Sequence, residues 1–135
     1  MTVIDASVLV PALADDGERG EAARALIASM EELAAPDLID VEALSVLRRQ
    51  RLAGGITTRR MRHALADLSA MPIERFRALP FIDEAARHLN NLTEYDALYV
   101  VLAAALHTEL VTADAKLANA PRLPCNVRLV SDLAS

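Results

Sequence analysis

Short apolar runs bounded by polar or turn-forming residues recur along the chain, and this pattern predicts β-strands. The predicted strands cover residues 3–4, 33–35, 72–76, 110–112 and 127–130. Between them apolar positions return at helical spacing, which predicts helices over residues 7–14, 21–30, 38–52, 57 or 58 to 70, 81–89 and 93–106, with one helical turn at 114–117. Short strands that alternate with helices indicate an α/β fold, with a parallel sheet covered by helices on both faces.

The helix at residues 93–106 is the most apolar of these elements. Its residues 97–106 are apolar or weakly polar without a break. That run is too short to span a bilayer and suits a helix buried on all sides in a small domain. Thr93 with Asp96 three residues later makes a capping-box-like start, with a carboxylate in the first turn. Asp96 is therefore either a helix cap or a ligand.

Composition narrows the class of protein. A chain of 135 residues with 53% hydrophobic content predicts one globular domain over residues 1–135 rather than a disordered segment. The N-terminus lacks the basic and apolar regions of a signal peptide, and no run is long enough for a transmembrane helix. Cys125 is the single cysteine, which excludes an internal disulfide and a cysteine-based zinc site. These features predict a cytoplasmic protein with no membrane partner.

Acidic residues recur where the predicted strands end. Asp5 directly follows the first strand, and Asp114 lies two residues beyond the fourth. Sites in open parallel sheets lie outside the carboxyl ends of the strands, so neighbouring strands would bring both carboxylates into one crevice. Asp96 would join them if its helix leads into the fourth strand.

Glu42 is a fourth candidate, on the helix predicted at residues 38–52. The apolar positions expected to form the buried face of that helix are Leu38, Ile39, Val41, Leu44, Val46 and Leu47. Glu42 falls within this face, where an unpaired charge is unfavourable, so it needs a partner.

Electrostatics limits what four such acids can do together. Two carboxylates about 4 Å apart repel by roughly 4 kcal/mol at an effective dielectric constant of 20. A cluster of four would take up protons or bind a cation, and oxygen ligands favour Mg²⁺ or Mn²⁺. Taken singly, Asp5, Asp96 and Asp114 are explained as turn or cap residues and Glu42 as a partner of a distant arginine; their shared predicted location favours a metal site.

Four segments carry a resemblance to a known family. They are Val3-Ile4-Asp5-Ala6-Ser7, Asp40-Val41-Glu42-Ala43-Leu44, Tyr95-Asp96-Ala97-Leu98-Tyr99 and Val111-Thr112-Ala113-Asp114. In order and spacing they resemble the PIN domain, and more narrowly the VapC-type toxin nuclease of VapBC toxin–antitoxin pairs. The resemblance implies a three-layer α/β/α sandwich with a short-stranded, mostly parallel central sheet.

The resemblance also implies an activity and its residues. It implies an endoribonuclease that uses Mg²⁺ or Mn²⁺, is inhibited by a cognate antitoxin and forms a homodimer. Asp5, Glu42, Asp96 and Asp114 would form the acidic catalytic and metal site, and the hydroxyls of Ser7 and Thr112 would orient ligands or waters. Some members carry a further acid where this chain has Lys116, which leaves one or two metal ions as alternatives.

Arginines are concentrated in one stretch of this acidic chain. Residues 48–62 carry six arginines and no acid, a charge of +6 against −11 for the remainder. Arg48, Arg49 and Arg51 fall in the last turn of a helix, where the dipole favours cations. Arg59, Arg60 and Arg62 fall in the first turn of the next helix, where the dipole opposes them. This second trio is a candidate contact for RNA or antitoxin, with a solvated face as the alternative.

Two other functions stay open from the sequence alone. A receiver-like domain would bind Mg²⁺ and accept a phosphoryl group on an Asp, but it requires nearly regular strand–helix units. A non-catalytic interaction module would use the acids only as caps.

Overall fold

The computed structural model describes residues 1–133, which are organised around a five-stranded sheet. The strands are β1 (Thr2–Ile4), β2 (Leu33–Pro36), β3 (Ile73–Phe76), β4 (Leu110–Thr112) and β5 (Val127–Leu129). All neighbouring strands are parallel, and their spatial order is β3-β2-β1-β4-β5. The order reverses between β1 and β4, the point at which open parallel sheets place their ligands.

Seven α-helices in the described part of the chain connect these strands. They are α1 (Ala6–Ala14), α2 (Glu18–Ala28), α3 (Leu38–Leu52), α4 (Thr58–Ala70), α5 (Ile82–Ala86), α6 (Glu94–Ala105) and α7 (Ala115–Ala118). Short 3-10 helices lie at Leu79–Phe81 and Ser131–Leu133. Two predicted helices differ from the observed ones by more than one residue at an end; the first, predicted at 21–30, is α2, which also ends earlier, at Ala28. Helix α2 begins earlier, because Glu18 and Glu21 in its first turn suit the positive end of the helix dipole. The helix predicted at 81–89 ends at Ala86 and continues as turns.

The helices cover both faces of the sheet, as predicted. The chain passes from β1 to β2 to β3 in one direction through α1–α4, and from β3 to β4 to β5 in the other through α5–α7. Because parallel crossovers are right-handed, the two groups lie on opposite faces. Helix α1 packs against α2, α3 and α4, and α6 packs against β1, β2 and β4. The two helices between β2 and β3 have no strand between them, which does not fit a receiver-like domain.

The centre of α6 is buried as predicted, whereas the predicted buried face of α3 is partly wrong. Every residue from 97 to 103 is buried, so the central part of α6 is enclosed as expected. In α3 the buried residues are Ile39, Ala43 and Leu47, which lie four apart on one line of the helix. Val41 and Leu44, predicted to be buried, are 69% and 47% exposed.

No helix among residues 1–133 combines the length and apolar character required to cross a membrane.

The packing of α2 on α1 depends on Gly20. A Cβ atom there would lie 1.7 Å from the carbonyl oxygen of Asp15. We expect Gly20→Ala to lower the free energy of unfolding by about 1–3 kcal/mol through overpacking, although the same change in an open helix stabilises by about 1 kcal/mol. Gly17→Ala is the matched control, because its Cβ would meet only the movable Asp15 side chain, at 3.3 Å. Urea unfolding followed by circular dichroism measures both; equal stabilities would contradict the packing argument.

Candidate active site

Asp5 joins the carboxyl ends of β1 and β4. It is the N-cap of α1, and its Oδ1 accepts hydrogen bonds from the Ser7 amide (3.1 Å) and the Ser7 hydroxyl (2.5 Å). Its Oδ2 accepts one from the Thr112 hydroxyl (2.6 Å). The residue is only 7% exposed. Both oxygens are therefore held in place beneath the point where the strand order reverses.

The same two hydroxyls bind the backbone that follows β4. Ser7 Oγ accepts a hydrogen bond from the Ala113 amide (2.8 Å), and Thr112 Oγ1 accepts one from the Asp114 amide (3.0 Å). The Ser7 and Thr112 oxygens lie 3.3 Å apart. This network fixes Asp5 relative to the segment that carries Asp114, so Ser7 and Thr112 orient Asp5 through their hydroxyls.

Glu42 finds its partner on α6. The Tyr99 hydroxyl donates a hydrogen bond to Glu42 Oε1 (2.8 Å), and Tyr99 is only 1% exposed. The partner is thus a hydroxyl rather than an arginine. The sequence prediction missed Tyr99, although a buried tyrosine usually requires a hydrogen-bond partner, and that was the available signal.

Asp96 and Asp114 both take part in helix capping. The Thr93 hydroxyl accepts a hydrogen bond from the Asp96 amide (3.1 Å) at the start of α6, as the sequence predicted. Asp114 Oδ1 accepts from the amides of Lys116 (2.9 Å) and Leu117 (3.4 Å) at the start of α7. Capping does not exclude membership of a site, because Asp96 and Asp114 also line one pocket with the other acids.

One pocket of about 300 Å³ brings the four acids together. Asp5, Glu42, Asp96 and Asp114 all line it, together with Ser7 and Tyr99. The carboxylates are not in mutual contact. Among residues 1–133, no group of three His, Cys, Asp or Glu side chains lies close enough together to bind a single metal ion without rearrangement. The four acids therefore meet at this edge of the sheet as predicted, but their carboxylates are farther apart than the 4 Å considered from the sequence.

Burial, and to a smaller extent the neighbouring charges, raises the pKa of three of the four acids. Burial raises the pKa of Asp5 to about 6, against hydrogen bonds from Ser7 and Thr112 that lower it, and the Asp96 charge raises it further. Burial also raises the pKa of Glu42 and of Asp96, and the charge of Asp114 adds to the effect on Asp96. None of the ion pairs within residues 1–133 includes any of the four acids. The pocket thus holds negative charge that no protein cation neutralises directly.

The three arginines at positions 59, 60 and 62 have different environments in the structure. Arg60 donates two hydrogen bonds to Asp16 (3.1 and 3.0 Å) and one to the Leu13 carbonyl oxygen (2.9 Å), which ties α4 to the end of α1. Arg59 and Arg62 are exposed. None of the three lines the acidic pocket. Sequence spacing could not reveal the Arg60–Asp16 pair, because its partners lie 44 positions apart.

The Tyr99–Glu42 hydrogen bond gives a test of this wall of the pocket. We expect Tyr99→Phe to reduce the free energy of unfolding by about 1.5–3 kcal/mol at pH 8, since a hydrogen bond to a charged group is lost. In a Glu42→Gln background the same change should cost only about 0.5–1.5 kcal/mol, because a neutral acceptor remains. Urea unfolding of the four proteins measures this difference, and equal costs in both backgrounds would show that the Glu42 charge plays no part in the contact.

Known proteins match the chain over nearly its full length. The family model of the PIN domain matches residues 2–123. Ribonuclease VapC1 of Mycobacterium tuberculosis is 41% identical over 130 residues, covering 95% of this chain and 96% of that protein. The crystal structure of PAE2754 from Pyrobaculum aerophilum has 25% identity and a TM-score of 0.70, covering 98% of this chain and 85% of that one. VapBC2 from Rickettsia felis, solved bound to a promoter DNA fragment, has 14% identity and a TM-score of 0.63, covering 95% and 97%, and shares the fold. The chain therefore belongs to the PIN-domain family and, within it, to the VapC ribonucleases.

Proposed function

We propose that this VapC-family protein is the toxin of a type II toxin–antitoxin pair and hydrolyses RNA phosphodiester bonds in the 300 Å³ acidic pocket. The observation that carries the proposal is the buried Asp5 carboxylate, oriented through both oxygens yet lacking a cationic partner among the described residues. A buried carboxylate in this state either binds a proton or faces a cation.

The residues of the pocket fit Mg²⁺ or Mn²⁺. The donors are carboxylates and hydroxyls, the oxygen ligands that these ions prefer, and the pocket lining includes no His or Cys. The separation of the acids also fits, because Mg²⁺ usually keeps several waters and takes only one or two protein carboxylates directly. Asp5, Asp96 and Asp114 would hold the ion, one or two of them directly and the rest through its bound waters, with Glu42 completing the outer coordination or accepting a proton.

The chain's own residues would divide the chemistry among them. A bound divalent ion supplies a water of lowered pKa and positive charge beside the scissile phosphate. Ser7 and Thr112 keep the Asp5 oxygens facing the pocket. Glu42, whose pKa is raised by burial, is suited to accept the proton of the attacking water, and Tyr99 holds it in position. Water as the nucleophile would leave a 5′-phosphate and a 3′-hydroxyl.

The proposed partners are RNA, a cognate antitoxin and a second copy of the chain. Family membership supports the antitoxin. The exposed apolar residues Val41, Leu44, Leu79 and Ile82 support the homodimer. The Asp37 amide donates to the Phe76 carbonyl oxygen (2.7 Å), which places the start of α3 beside the end of β3, three residues before Leu79. Location in the cytoplasm and the single-domain organisation remain predictions.

Cleavage of total RNA tests the proposal. We expect cleavage with Mg²⁺ or Mn²⁺, none with EDTA, and recovery when the ion is added back. Sequencing libraries that capture only 5′-phosphate ends should contain the cut sites. Products with 5′-hydroxyl and 2′,3′-cyclic phosphate ends would contradict water as the nucleophile, and undiminished cleavage in EDTA would contradict the metal site.

A further inference from the structure

The acidic pocket opens into a second, larger one. The neighbouring pocket has a volume of about 750 Å³ and lies between α1, the start of α2 and the loop from α3 to α4. The two pockets share the lining residues Val10, Pro11, Arg19 and Gln50. They form one continuous groove, which we call the α1 groove, with these four residues at the junction.

Arg19 is the basic residue of that junction. It lies in the first turn of α2, and no other Arg, Lys or His lines the acidic pocket. Its Nε donates to the Leu133 carbonyl oxygen, which anchors the base of the guanidinium. The nearest carboxylate oxygen, on Asp15, is 4.0 Å from Nη1, at the limit of an ion pair. Within residues 1–133 the N–H groups of Nη1 and Nη2 have no hydrogen-bond acceptor, and the side chain is 33% exposed.

The other charged groups that line the larger pocket are bound by other parts of the protein. Arg60 is bound by Asp16 through two hydrogen bonds, so its charge is neutralised within the protein. Asp15 Oδ1 accepts from the Gly17 amide (2.8 Å). Arg19 is therefore the cation at the groove junction that can offer N–H donors to a ligand.

An RNA strand in this site requires such a cation. The carboxylates of the pocket repel phosphates, and an ion bound among them neutralises charge only at the scissile position. The next phosphate along the strand would lie outside the acids, where the groove widens. A guanidinium suits phosphate because its paired N–H groups match two phosphate oxygens.

We propose that the α1 groove is the path of the RNA strand on one side of the cut, and that Arg19 binds the phosphate adjacent to the scissile one. This assignment rests on the proposed function of the acidic pocket. Arg19 contacts the substrate rather than the reacting atoms. It contributes affinity and position, and its loss raises KM more than it lowers kcat.

The test measures RNA binding without cleavage. The parent protein is Asp5→Asn, and the probe is a short fluorescein-labelled single-stranded RNA pool of mixed sequence, titrated at several salt concentrations. We expect Arg19→Gln to weaken binding about 5- to 10-fold at low salt. The slope of log K against log salt should decrease in magnitude by about 0.7, the value for one phosphate contact on a single strand. Arg87→Gln, at an arginine side chain that is 75% exposed, is the control and should change neither quantity.

Two further variants separate charge from structure. Arg19→Lys keeps the charge and should keep the slope. Gln50→Lys, placed in the Arg19→Gln protein, returns a cation to the junction from α3 and should restore the slope. If Arg19→Gln leaves the salt slope of RNA binding unchanged, the assignment is overturned, whether or not binding becomes weaker. It is also overturned if Arg19→Gln weakens binding of the antitoxin but leaves RNA binding intact. If Arg19→Gln does not fold, Gln50→Lys alone should increase the slope by about 0.7, and no increase would overturn it.

Failure of this inference and failure of the proposed function are distinguishable. A chain with all four acids that does not cleave RNA contradicts the function. A protein that cleaves RNA, but whose salt slope of RNA binding does not depend on residues 19 and 50, contradicts only the proposal for the α1 groove.

Discussion

Asp5→Asn is expected to reduce RNA cleavage by at least about 100-fold while leaving the protein folded. Asparagine keeps the shape of the side chain and the acceptor for the Ser7 amide, but it removes the charge that faces the pocket. Mutation of groups that merely orient a metal ligand costs about 10–100-fold, so loss of the buried ligand itself should cost more. Initial rates on a fluorogenic RNA with excess Mg²⁺ measure the effect.

The control for this experiment is Asp83→Asn. Asp83 is exposed in the first turn of α5 and does not line the acidic pocket, so its variant should retain full activity. Circular dichroism should show the same fold for all three proteins. An Asp5→Asn protein with more than about one tenth of the native rate would remove Asp5 from the catalytic site and leave it as the cap of α1.

The order of elements and the carboxyl-edge location of the acids were predictable because they depend on local signals. Short apolar strands such as the one ending before Asp5 are bounded by polar residues, and parallel topology then places their ends together. Asp96 and Asp114 followed from the same logic. Glu42 was a weak candidate from its position on an apolar helix face alone, and the resemblance to the PIN domain made it a specific one.

What could not be predicted depended on contacts between distant segments. Apolar residues occupy so much of α3 that periodicity could not choose its buried face, and Val41 and Leu44 proved exposed. Arg60 looked like a free cation until its contact with Asp16 was known. Arg19 gave no sequence signal at all, because its position depends on the Leu133 carbonyl oxygen, 114 positions away.

The second large effect is a loss of stability of the metal-free protein as pH rises. The pKa of Asp5 is about 6 in the folded chain and 3.8 in the unfolded chain. Between these two pH values the folded state therefore binds more protons than the unfolded state. Stability from this group is fully present below pH 3.8 and is lost as pH rises through 6. The shift corresponds to a loss of about 3 kcal/mol. The raised pKa values of Glu42 and Asp96 act in the same direction.

Comparison with Asp5→Asn reports this loss together with the effect of the Asp5 charge on Glu42. Independent titrations cancel, including that of Asp16, whose lowered pKa has the opposite effect. Urea unfolding in EDTA should show the variant gaining about 2–2.5 kcal/mol relative to the native chain between pH 4 and pH 7, since part of the loss has already occurred at pH 4. The altered hydrogen bond to Thr112 costs about 1 kcal/mol at every pH and cancels from that difference. Mn²⁺ at 100 times its Kd should return about 2.7 kcal/mol to the native chain at pH 7 and much less to the variant. A stability difference between the two proteins that does not change with pH would mean that the Asp5 charge is tolerated without an ion, and the physical case for a metal at this pocket would be lost.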